Sequence, residues 1–157
     1  MVHRTSDLDV VGRILNHPMV YGMISDDTTP DPYEPVDGLY IMNDEETGVV
    51  RIDPVNGICC IVHIATLPEL WGTAESFVME VIDWGINNTA YNKVIALVPE
   101  YNKLTLRLCL KCGFEQEGRI KKSFLKNWKF YDLVLFGLTK TDFTERRQLC
   151  HQQHLQQ

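Results

Sequence analysis

Two short runs limit what this chain can become. Ile58 to Ile64 (Ile-Cys-Cys-Ile-Val-His-Ile) and Lys93 to Val98 (Lys-Val-Ile-Ala-Leu-Val) are almost wholly apolar, as strands buried on both faces are. Between them Phe77, Val78, Val81, Ile82 and Gly85 recur at spacings of three and four, while Glu75, Glu80 and Asp83 fall elsewhere. That spacing predicts a long helix with one buried face, ended at Asn87-Asn88. Strand, helix and strand in this order form a crossover unit. It requires a sheet with a helix laid across it.

The flanking segments complete the sheet. Thr5 or Ser6 is read as capping a first helix over Asp7 to Leu15, ended by His17-Pro18. Residues 25 to 37, rich in Asp, Thr and Pro, carry no periodicity and read as loop. Gly38 to Met42 and Val49 to Ile52 are short strands around a polar turn, and Asn56-Gly57 makes the turn into the run at 58. Further on, Asn102 can cap a helix in which Leu104 and Leu108 recur, and Gly113 supplies a positive-φ stop before Phe114. Phe114 to Ile120 and Phe130 to Leu138 are two more strands, joined by a basic linker, Lys121-Lys122-Ser123. The order predicts an α/β fold of mixed α+β character. A central, mostly antiparallel sheet carries helices on both faces, in one domain over residues 1–143. Residues 144–157 form a polar tail, either a frayed helix or disordered.

Charge and cysteine usage narrow the function classes. A formal net charge of −6 disfavours a nucleic-acid partner held through phosphates, which needs a basic face, and it tolerates a cationic substrate. No apolar run approaches the ~18 residues of a membrane span, and Met-Val-His-Arg-Thr-Ser-Asp is not a signal core, so no membrane partner and a cytoplasmic location are expected. Five cysteines, two of them adjacent at Cys59-Cys60, suit a reducing compartment better than a disulfide framework. Cys109-x-x-Cys112 lacks a second pair, and Cys150-His151-x-x-His154 lies on a Gln-rich end, so no metal site is expected.

The pattern Asn102-x-x-Thr105, Lys111-x-Gly113-Phe114 and Glu117-Gly118 resembles the fourth helix and sixth strand of the GNAT N-acetyltransferases. Within that superfamily it is most similar to the branch that acetylates the α-amino ends of ribosomal proteins. Leu67-Pro68-Glu69-x-Trp71-Gly72 resembles that branch's coenzyme A loop, with Thr73 where the branch has lysine and Ala74 where it has a second glycine. Phe130-Tyr131-Asp132 through Phe136-Gly137-Leu138 resembles its closing strand. The likeness spans residues 58–138. It implies a GNAT fold with splayed central strands, its first strand or second helix being lost in the 18–37 region.

What the resemblance implies about chemistry is specific. Acetyl-CoA would be the co-substrate. Its pyrophosphate would lie on the amides of Trp71, Gly72, Thr73 and Ala74, since a helix N-terminus can hold an anion without a basic side chain. Backbone groups from Ile64 to Leu67, Thr66 included, would pair with the pantetheine arm and polarise the thioester carbonyl. Asn102 would bond the same arm. Thr105 would face the sulfur as proton donor, with Tyr101 as the alternative. The base candidates are His63, Glu69, Glu100 and Glu117, of which His63 and Glu100 are preferred. Thr105 bonded back into its helix and His63 satisfied within its strand are the ordinary alternatives. The acceptor would be a primary amine, with a protein amino group favoured, in a site shaped by residues 18–37 and 121–129. An exposed edge strand makes a homodimer plausible. The rival expectation is a scaffold without turnover that acts on a macromolecular partner.

Overall fold

A computed structural model describes residues 1–154. The elements run β1 (Val2–Thr5), α1 (Leu8–Leu15), α2 (Pro18–Ile24), β2 (Leu39–Asn43), β3 (Gly48–Pro54), β4 (Cys59–Thr66), a 3-10 turn (Pro68–Leu70) and α3 (Ala74–Asn88). They continue with β5 (Lys93–Pro99), α4 (Lys103–Lys111), β6 (Glu115–Lys126), β7 (Lys129–Thr139) and α5 (Lys140–His154). The strands form one seven-stranded sheet in the order β1-β2-β3-β4-β5-β7-β6. All neighbours are antiparallel except β4 and β5, the pair bridged by α3.

Period-two alternation sends each strand's side chains to two cores. Val49 and Ala65 face Val11, Ile14 and Val20 of the first two helices. Val50, Ile52 and Cys60 face Phe77 and Val81 of α3. Beyond them Val98, Val134 and Phe136 pack with Ile82 of α3 and Cys109 and Cys112 at the end of α4. Burying a side chain such as Phe77 is worth roughly 1.5–3 kcal/mol, so the face of α3 read from sequence anchors the crossover. Gly48 is required for its seating. A Cβ there would stand 2.6 Å from Leu70 and 2.8 Å from Phe77, the two side chains that press the turn before α3 against the sheet.

Four expectations change. β1 and α2 are both present, so neither the first strand nor the second helix is lost from residues 18–37. Pro18 opens α2 at a position where its missing N–H costs nothing, rather than only closing α1. The cap of α1 is Asp7, whose carboxylate accepts from the amides of Asp9 and Val10, not Thr5 or Ser6. Lys121-Lys122-Ser123 lies inside β6, at an irregularity between Ile120 and Phe124, and the hairpin turns only at Asn127 and Trp128, both at positive φ. The polar end is helical from Lys140 to His154 with Phe143 buried in the core, while residues 155–157 lie outside the described part.

Candidate active site

β5 has two unlike edges. Along one it pairs with β7 from Lys93 to Pro99; along the other it meets β4 only at Cys59↔Lys93, Cys60↔Val94 and Ile61↔Ile95. Past Ile61 and Ile95 the two central strands part. Leu67 donates its amide to Thr47 O on the β3 side, so alternation turns the amides and carbonyls of Val62, Ile64 and Thr66 the other way, into the gap. The carbonyl of Ile58, two steps further back in the same series, accepts from Asn92 and Lys93 on the β5 side and agrees with that sense. A cavity of about 600 Å³ opens from this gap, lined by Ile64, Thr66, Trp71, Asn102 and Thr105 among others.

At its edge begins α3. The N-cap residue Thr73 is of a type that usually caps, yet it makes no cap bond; its hydroxyl turns back to Leu70 O at 3.5 Å. The amides of Trp71 and Thr73 donate to Pro68 O and Leu70 O. Those of Gly72, Ala74, Glu75 and Ser76 have no acceptor among the described residues. A Cβ on Gly72 would meet nothing within 4 Å, so the surface above the turn is open. The Trp71 indole N–H donates to Thr66 O at 3.2 Å and ties this turn to the end of β4. Leu67 is occupied at both backbone groups, its amide by Thr47 and its carbonyl by Leu70.

The fourth helix brings the side chains. Asn102 Oδ1 accepts from the Thr105 amide at 3.2 Å, which is the cap read from sequence, and Asn102 also lines the cavity. Thr105 lines it too, and its hydroxyl makes no hydrogen bond among the described residues. Tyr101 packs edge-on to Tyr131 at 4.7 Å and tilted to Phe124 at 6.1 Å, and its buried hydroxyl has no partner among the described residues. Burial, then the neighbouring Tyr131, Asp26 and Asp27, raise its pKa, so it stays a donor.

The base candidates scatter. His63 lies in the cavity wall with Nε2 3.3 Å from Asp53 Oδ2. Its pKa is held below the ordinary 6.5, first by removal of water; Asp53 opposes this and Arg51 adds to it. Glu100 faces the last two strands, accepting from the Asp132 amide at 3.0 Å and from Arg119 at 3.3 Å. Glu117 pairs with Lys93, at the closed end of β5. Glu69 is exposed on the 3-10 turn.

Sequence reading passed over Arg51 and Asp53. Arg51 Nε donates to Asp53 Oδ1 at 2.8 Å, and Arg51 is the cross-strand partner of His63. The signal was present: two charges at i and i+2 in an otherwise apolar strand must share a face. It also missed a clasp over the cavity. The Asp27 carboxylate accepts from the amides of Asn127 (2.9 Å) and Trp128 (2.8 Å), and the Asp27 amide donates to Leu125 O at 2.9 Å. Lys126 Nζ donates to the carbonyls of Gly22 and Ser25, each at 2.8 Å. The loop after α2 is thereby fastened to the β6–β7 hairpin.

This architecture recurs in solved structures. A spermidine N-acetyltransferase from Vibrio cholerae, in complex with CoA and spermine, superposes with a TM-score of 0.74 over 92% of this chain and 97% of that one, at 16% identity. A ribosomal-protein-S5-alanine acetyltransferase from Vibrio fischeri gives 0.71 over 90% and 93%, also at 16% identity. The fold is the GNAT fold. In sequence, a prophage-derived uncharacterized N-acetyltransferase of Bacillus subtilis (strain 168) is 32% identical over 72 residues, 46% of this chain and 41% of the relative. The chain therefore spans less than half the length of that curated relative, and no family model matches it. Among the described residues of this GNAT fold, no cluster of His, Cys, Asp and Glu could hold a metal, and no helix is long and apolar enough to cross a membrane.

Proposed function

We propose that the chain is an N-acetyltransferase that moves acetyl from acetyl-CoA to a primary amine by direct attack. One observation carries the reading: the free backbone edge of β4 opens onto a cavity that reaches Trp71, two residues before the uncapped start of α3. The amides at the start of α3 are open to solvent and carry the partial positive charge of a helix N-terminus, which suits an anion such as a pyrophosphate. The residues present fit the co-substrate. Amides of Gly72, Ala74, Glu75 and Ser76 would hold its pyrophosphate, and the gap-facing groups of Ile64 and Thr66 with Asn102 would hold its pantetheine arm. Bound acetyl-CoA supplies an acetyl group activated as a thioester.

The protein's part is proton management and charge stabilisation. The amine must arrive at the acetyl carbon unprotonated; an N–C bond forms, the C–S bond breaks, and the products are an acetamide and a free thiol. His63 is neutral at pH 7 because its pKa lies below 6.5. With Nε2–H donating to Asp53, Nδ1 keeps the lone pair that takes the proton from nitrogen. Asp53 is then a positioning residue, steadied by Arg51. Backbone N–H groups of β4 donate to the carbonyl oxygen as charge builds there. Thr105, which lines the cavity, donates a hydrogen bond to the departing sulfur; the Tyr101 hydroxyl, the alternative donor from the sequence, is buried outside the cavity lining. Proteins that share the fold are named for amine acceptors of different kinds, spermidine and a ribosomal protein, so the fold alone does not select the acceptor.

Calorimetric titration with acetyl-CoA tests the reading. Micromolar binding is expected. No binding at millimolar acetyl-CoA would leave the fold as a scaffold acting on a macromolecular partner.

A further inference from the structure

We infer that the acceptor is a small primary amine carrying a single positive charge on an aromatic or similarly apolar body. The inference rests on the transferase reading above and concerns the part of the cavity facing α1 and α2. That wall is ring-lined: Tyr21, Tyr33 and Tyr40 contribute from one side and Phe124 from the hairpin. Two of the tyrosines have their hydroxyls satisfied by backbone, Tyr40 on Val36 O at 2.9 Å and Tyr21 on Thr29 O and Pro30 O. Tyr40 is fully buried with Arg51 over its ring, so the ring surface offered to a ligand is that of Tyr21, Tyr33 and Phe124, which suits an apolar body and attracts one ammonium group through the ring quadrupole.

Charge argues against a polycation. Asp53 is the one carboxylate lining the cavity among the described residues, and it is already engaged by Arg51 and His63. Asp26 and Asp27 stand outside the cavity lining, Asp26 bonded to Thr28 and Thr29 and Asp27 to the hairpin amides. A second and third ammonium would lie beside the Arg51 guanidinium with no anion to meet them, and burying an unpaired charge is strongly unfavourable. Bulk is restricted as well. The clasp joins residues 22–27 to residues 125–128 and so holds the segment carrying Tyr21, Met23 and Ile24 against the hairpin that carries Phe124, which leaves this wall little freedom to open for a bulky acceptor.

The test compares acceptors at fixed, saturating acetyl-CoA by the rate of free thiol release. We expect kcat/KM for 2-phenylethylamine to exceed that for spermidine, and for a short peptide with a free apolar N-terminus, by at least tenfold. Tyr33→Ala should lower the 2-phenylethylamine value mainly through KM, and Met23→Trp, which fills the ring-lined space, should abolish it. Both variants should retain acetyl-CoA binding by calorimetry, which also shows that they fold. Spermidine or the peptide matching 2-phenylethylamine would overturn the inference. So would acetyl-CoA binding with no transfer to 2-phenylethylamine. Failure of wild type to bind acetyl-CoA would instead remove the transferase reading beneath it.

Discussion

The starts of α1 and α3 are treated in opposite ways. α1 has eight residues, and Asp7 satisfies two of its orphan amides. α3 has fifteen, carries a residue at its N-cap that is able to cap, and leaves the amides of its first turn open. A longer helix buried on one face tolerates frayed ends better than a short one, so packing alone permits the difference. Position separates the two further: α3 follows β4 past the point where β4 and β5 part, whereas α1 follows the edge strand β1. One start is finished by a side chain, and the other is left open to solvent.

The comparison can be broken at its unfinished end. Thr73→Asp would give α3 the carboxylate cap that α1 has, and it should raise the melting temperature by about 2–4 °C while weakening acetyl-CoA binding by about tenfold or more. A variant that gains stability and keeps its affinity would show that those amides are not the anion site. Asn102 sharpens the contrast because it both caps a helix and lines the cavity. Asn102→Ala should cost about 1 kcal/mol in denaturant unfolding and about fivefold in acetyl-CoA affinity. Asn102→Asp should restore the stability but not the affinity. Asp7→Ala is the counterpart at the finished end, expected to cost about 1 kcal/mol of stability with acetyl-CoA affinity unchanged. The smallest effect lies outside both helix starts. With kcat/KM referred to the concentration of unprotonated amine, its rise with pH should have its midpoint below 6.5, and Asp53→Asn, by removing an influence that raises the His63 pKa, should move that midpoint lower still. Movement in the other direction would sink the assignment of His63.

Legibility followed how local the cause of each feature is. The central strands, the face of α3 and the Asn102 cap were all readable, because apolar runs and capping chemistry are properties of a few consecutive residues. β1 was not, since Val2 to Thr5 has little apolar content and exists by pairing with β2 some forty positions away. α2 was hidden because proline both ends and begins helices, and only its neighbours decide which. The middle of β6 was read as linker because Lys121 and Lys122 are charged, but β6 is an edge strand, where charge is usual. The site divides in the same way. Side chains that line the cavity, such as Asn102, Thr105 and His63, could be named as candidates, whereas the parted edge and the Arg51–Asp53–His63 grouping arise from pairing between strands.

The clasp makes two stretches a hundred positions apart a single heritable part. Lengthening the hairpin alone would carry Asn127 and Trp128 off the Asp27 carboxylate and withdraw Lys126 from the end of α2, opening the wall it was meant to reshape. Descendants with new acceptor preferences should therefore show matched length changes in both stretches, or ring exchanges behind an unaltered fastening. A graft of one stretch without the other should not transfer selectivity.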